Sequence, residues 1–191
     1  MEVCSFVEVT MSPMSAKAAG LKIPIAAPDS ASNMQKYEND LKKAAQKEWS
    51  NVVTLGDAET CGIVEEGALA FKEICQLQSN YYNILDSRHG PMVMIRPDTL
   101  VILLLSSNSN KYELDLLGDV MKKTKNVIAY SDKKLTKSFK GLLNVVFGEE
   151  LSHIARGIPF ILIPQMVSYY KALANGINPD NPDGLSSWIA L

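Results

Sequence analysis

The run Leu100-Val-Ile-Leu-Leu-Leu105 constrains this chain more than any other stretch. Its apolar residues do not alternate with polar ones, so both faces of the segment avoid water. It is far too short to cross a bilayer. A strand covered on both faces belongs to a parallel sheet flanked by helices, and the rest of the sequence supplies the parts. Residues 52–55, 81–85, 126–130 and 142–147 read as further strands. Residues 37–49 and 61–78 carry apolar positions at helical spacing, and a last apolar helix spans 159–175 with Gly176 suited to end it. Asn110 with Glu113 forms a capping-box pattern that opens a helix to about residue 125. Lys134 to Lys140 reads as a basic helical turn. The expected class is α/β.

Ahead of this alternation, residues 1–36 read as an extension too slight for its own core: a strand over 3–10, a helical turn from Ser12 to Lys17, an extended piece over 21–25 and a linker at 28–32. The alternation itself occupies 37–175, and 176–191 is a tail rich in Asn, Asp and Pro. Charged residues make up 21% of the chain and the net charge is -2, which argues against a broad nucleic-acid or membrane-surface footprint. The lysines at 122, 123, 125, 133, 134, 137 and 140 read as a solvated face, because few aromatics accompany them. No secretory leader pattern opens the sequence. Cys4, Cys61 and Cys75 lack ligand spacing and fit reduced thiols of a cytoplasmic protein, with Cys61 and Cys75 as core fillers. His153 beside Glu149 and Glu150 is too sparse for a metal site, and no metal or cofactor is expected. Ser87 with His89 lacks the nucleophile elbow of a hydrolase.

Ligands of open parallel sheets bind beyond the carboxyl ends of the strands. Gly56 with Asp57, and Ser106 with Ser107, fall at such ends. The segment Ser106-Ser-Asn-Ser109-Asn110 has two readings. Its hydroxyls and helix amides can cradle a phosphate, or they serve plain capping and turn chemistry. Glu66 and Glu73, a double helical turn apart, share one helix face with Ala70 between them. His89 is one of 2 histidines. A carboxylate and an imidazole together suffice to move protons on a small substrate near neutral pH.

Leu55-Gly56, Glu66-Gly67-Ala68-Leu69, Lys72-Glu73 and His89-Gly90-Pro91, in strand–helix order, resemble the second half of the sugar isomerase (SIS) family, most closely the isomerase portion of glucosamine-6-phosphate synthase. Ile163-Pro164 through Tyr169 and the tail Asn178-Pro-Asp-Asn-Pro182 are similar as well. The resemblance implies a three-layer, doubly wound, flavodoxin-like sheet of five parallel strands. It implies a sugar phosphate as ligand, with isomerase or deglycase action on a ketohexose phosphate or its amine adduct. Glu73 would carry a proton between C1 and C2, His89 would open the sugar ring, reaching into a partner subunit's site in dimeric members, and Glu66 would contact substrate. Gly56, Asp57, Ser106, Ser107 and Ser109 would complete the substrate contacts. A homodimer, or pairing with a first SIS half, is implied, and residues 1–36 would be the remnant of that half.

Two departures accompany the likeness. Ala70 stands where the synthase has a lysine, and Ser187 where it has the Schiff-base lysine, so covalent ketose activation is not expected. The glutamine-hydrolysing domain and the first half's Ser-x-Ser-x-x-Thr loop have no counterpart. A non-catalytic sugar-phosphate-binding or subunit-pairing module, or a fragment of a two-half enzyme, is therefore the alternative reading.

Overall fold

A computed structural model describes residues 34–107, 110–148, 150–151, 155–180 and 184. The expectations for residues 1–33, Ser109, Glu149, His153 and Ser187 lie outside the described residues. Helix α1 (Glu38–Ala45) precedes β1 (Asn51–Gly56), α2 (Cys61–Cys75) and β2 (Gln78–Asn83). Two short 3-10 segments (Asp86–His89 and Pro91–Met94) lead to β3 (Thr99–Leu104). Then come α3 (Lys111–Lys123), β4 (Val127–Ser131), β5 (Leu143–Val146) and α4 (Gly157–Ala174). The sheet has 5 strands in the order β2-β1-β3-β4-β5, and all four pairings are parallel. Order and direction make it a doubly wound, flavodoxin-like α/β sheet, with the chain reversing its course across the sheet between β1 and β3.

The apolar run behaves as its composition demands: all of β3 is buried. Leu100, Ile102 and Leu104 face one core with α1, α2 and α4. Val101, Leu103 and Leu105 face the other, under α3 and the 3-10 segments. Alternate residues of one strand thus serve two cores, which is why the run cannot afford a polar side. β2 is displaced from the expected 81–85. Its polar start, Gln78-Ser-Asn80, alternates exposed, buried, exposed, as suits the edge of a sheet, and pairs residue for residue with β1.

The expected helical turn from Lys134 to Lys140 is not formed; the stretch is bends and turns. One isolated turn fixes several residues for a single hydrogen bond, and Leu135 and Phe139 instead fasten the segment to the α3-side core. The capping box of α3 is present: the Asn110 side chain accepts from the Glu113 amide at 3.1 Å, and the Glu113 carboxylate accepts from the Asn110 amide at 3.0 Å.

Helices α2 and α4 pack at close range through glycine. A methyl group on Gly67 would meet Pro164 at 3.1 Å, and one on Gly157 would meet Ile63 at 2.9 Å. Lys171 of α4 is almost wholly buried. Its ammonium donates to the Lys47 carbonyl at 2.9 Å and lies 4.4 Å from the Trp49 ring centroid, tying α4 to the end of α1. Desolvation pushes its pKa down. Cys75 is buried as expected, whereas Cys61 is only partly so; burial pushes the Cys75 thiol up to about 11, which leaves it unreactive at neutral pH.

Candidate functional site

α2 begins just beyond the carboxyl end of β1 and ends just before the amino end of β2, so it runs antiparallel to the strands. Val64, Gly67, Ala68, Ala70 and Phe71 point inward. Glu66, Leu69 and Glu73 point outward and are exposed, on one face at the spacing that the sequence predicts. Ala70 is buried and does not share that exposed face. Glu65 is exposed too. It is not merely solvated: its carboxylate is hydrogen-bonded to the Tyr81 hydroxyl, which holds that phenol above its ordinary pKa. No sequence signal tied these two, because the true start of β2 sets their juxtaposition.

Glu73 lies in the last turn of α2, at the amino edge of the sheet. His89 closes the 3-10 segment that follows the carboxyl end of β2. The 6-residue β2 puts about 16 Å of strand between those two edges. Within one chain, therefore, the carboxylate and the imidazole do not converge on one small substrate. His89 is exposed, on the α3 side of the sheet. It borders a cleft of about 670 Å³ with Leu85, Arg88, Lys111, Tyr112 and Lys137.

Gly56 has a packing reason for lacking a side chain. A methyl group there would lie 2.6 Å from Val64 Cγ1 and 3.0 Å from Thr60 Oγ1. It seats the first turn of α2 against β1. Gly56→Ala should lower unfolding stability by about 1–3 kcal/mol through overpacking, measurable in urea titrations. Asp57 is exposed, and its carbonyl accepts from the Thr60 amide at 2.8 Å and the Thr60 hydroxyl at 3.0 Å, which organises the turn into α2.

The described residues of the Ser106 loop make capping contacts. The Ser106 amide donates to Glu113 Oε1 at 3.0 Å, and the Ser106 hydroxyl donates to Glu113 Oε2. With the Asn110 amide at 3.0 Å, three donors that a phosphate would need are held by a carboxylate that is only 1% exposed. A phosphate there would also face that buried negative charge. Ser107 is half-buried. Removing the acceptor in Glu113→Ala breaks these part-buried, charge-assisted bonds and should cost about 1–3 kcal/mol, seen as a lower midpoint in denaturant.

A buried ion pair at the same end of the sheet has no sequence signature. Arg156, 1% exposed, donates through Nη2 to Asp132 Oδ1 at 3.1 Å and to the Leu105 carbonyl at 2.6 Å. Asp132, 0% exposed, also accepts from the Leu151 amide at 3.3 Å. The pair joins the carboxyl ends of β3 and β4 to the start of α4. Two buried groups close by, Arg156 Nε and the Tyr130 hydroxyl, have no hydrogen-bond partner among the described residues. Burial, reinforced by Asp132, pushes the Tyr130 hydroxyl pKa up.

Among the described residues no cluster of His, Cys, Asp and Glu fits a metal ion, and no helix is long and apolar enough to cross a membrane.

No family model matches the chain. It is 29% identical over 149 residues to the D-galactosamine-6-phosphate deaminase AgaS of Shewanella sp. (strain ANA-3), covering 75% of this chain and 36% of that protein. It is 22% identical over 167 residues to the glutamine--fructose-6-phosphate aminotransferase [isomerizing] of Wigglesworthia glossinidia brevipalpis, covering 86% of this chain and 27% of that one. The crystal structure of glucosamine-6-phosphate deaminase from Thermotoga maritima superposes with a TM-score of 0.69 at 22% identity, over 93% of this chain and 53% of that chain. The chain thus spans roughly a third or less of the curated relatives just named.

Proposed function

We propose that this SIS domain takes part in proton transfer on a sugar phosphate, with Glu73 as the acid/base. Homologous phosphosugar isomerase and deaminase domains support the coarse reading, a phosphosugar-handling SIS protein. The finer reading, isomerase or deglycase action on a ketohexose phosphate or its amine adduct, rests on one observation: the paired exposure of Glu66 and Glu73 on the outer face of α2.

Glu73 removes a proton from C1 of the open-chain ketose. The C–H electron pair becomes the C1=C2 bond of an enediol while the C2 oxygen gains a proton. Returning the proton to C2 while the C1 hydroxyl loses its proton and becomes the carbonyl completes the isomerisation without net oxidation. Glu66 holds a sugar hydroxyl. His89 protonates the ring oxygen during opening, and the strand between it and Glu73 requires it to come from a second copy. The apolar outer side of α4 (Ile158 and Leu173 each 50% exposed, Tyr169 39%) and Leu69 of α2 at 38% offer a surface for such pairing, with a second copy or a first half.

The second reading is a non-catalytic binding or pairing module, favoured by the commitment of the Ser106 loop to Glu113. Ser107 and Asp57 then remain as peripheral contacts. Proton exchange from C1 of fructose 6-phosphate into deuterated water, followed by NMR, separates the two. Exchange dependent on Glu73 supports the enzyme; ligand-induced thermal stabilisation without any exchange supports the module.

A further inference from the structure

The lysines of the basic stretch from Lys122 to Lys140 are all exposed, as its composition implies. The stretch folds so that Lys122 of α3 and Lys137 of the irregular segment line one cleft with Arg88, His89 and Lys111. Four permanent cations from three separate chain segments therefore surround two carboxylates, Asp115 and Asp119. Asp119 is held by Arg88 and Lys122, each at 2.9 Å, and Asp115 by Lys111 at 2.9 Å. Both carboxyls lie below their ordinary pKa, Asp115 chiefly through Lys111 with Lys137 and Arg88 adding, and Asp119 chiefly through Lys122.

The lining of the cleft keeps a surplus of two positive charges. Lys137 makes no ion pair among the described residues and lies 5.2 Å from the Phe139 ring. Leu85 and the Tyr112 ring, 68% exposed, supply apolar surface beside the cations. At about 670 Å³ the cleft has the size of a small-molecule site.

We propose that this cleft binds a phosphate ester, its dianion held by Lys137, the cation of the cleft that no carboxylate pairs among the described residues, with the body of the ligand against Tyr112 and Leu85. It lies across the sheet from Glu66 and Glu73 and shares only His89 with the proton-transfer reading, so Glu73→Gln tests that reading without touching the cleft.

Calorimetric titration of the full chain with AMP and with inorganic phosphate at low ionic strength tests it. AMP should bind, and weaken as salt is added. Binding stronger for AMP than for phosphate assigns the ring contact to Tyr112; equal binding assigns the affinity to the phosphate alone, and both support the site. Lys137→Glu should reduce affinity about tenfold or more. Asp115→Asn, which removes a competing carboxylate, should tighten binding, a gain that misfolding cannot imitate. No binding by wild type, or binding unchanged in both variants, would overturn the proposal. So would binding lost in Glu73→Gln instead, because that carboxylate lies on the opposite layer.

Discussion

Glu73→Gln should abolish exchange of the C1 proton of fructose 6-phosphate while leaving the melting temperature unchanged. The residue is exposed on α2, so losing its charge removes no buried partner and costs little stability. A positioned general base contributes about 10²–10⁴-fold to a proton transfer, and glutamine keeps the shape without the basicity. His89→Ala should impair ring opening and act mainly on the cyclic substrate. Because β2 separates the two groups in one chain, the variants should complement each other. In a random mixture of dimers about half are hybrids, each with one intact site, so about a quarter of wild-type activity should return. Failure of Glu73→Gln to slow exchange would remove the carboxylate from the mechanism. Loss of activity in both variants without complementation would argue against sites shared between copies.

Asp132→Ala should be the most damaging single change to stability. Among the described residues it leaves the buried Arg156 guanidinium only the Leu105 carbonyl as acceptor, and strands the Leu151 amide. Breaking a buried pair from one side costs about 3–5 kcal/mol, a large part of the about 5–15 kcal/mol that holds a typical domain together. The double variant Asp132→Leu with Arg156→Met removes both charges and should recover most of the loss. Urea unfolding of the two single variants and the double variant gives the coupling directly. Equal losses in the double variant and the sum of the singles would show that the pair contributes nothing as a pair.

The sheet was legible because its strongest signal is composition: a strand facing two cores has no alternative but to be apolar throughout, as residues 100–105 are. The capping box at Asn110 and Glu113 was legible because it is local, three residues apart. What escaped was non-local or context-dependent. Gln78-Ser-Asn80 has poor strand propensity and becomes a strand only because β1 offers an edge. Lys134 to Lys140 has helical spacing, but no neighbouring turn extends it. The Arg156–Asp132 pair joins residues 24 apart in sequence and leaves no periodic trace. Of the candidate site, the outward pairing of Glu66 and Glu73 could be read from spacing. That Ser106 would turn to Glu113, and that Gly56 would serve Val64, could not, since both depend on which side chain fills a space.

Gly67 and Gly157 let α2 and α4 touch with almost no gap between them. Two helices so closely keyed cannot slide or tilt independently without collision, so they present their outer surface as a single stiff plate. The carboxylates of α2 and the apolar positions of α4 consequently hold fixed relative positions before anything docks. A partner meeting that plate need not order it, and the entropic penalty of association is reduced by that much. Two side chains that are absent thus preorganise the face on which the charged ones stand.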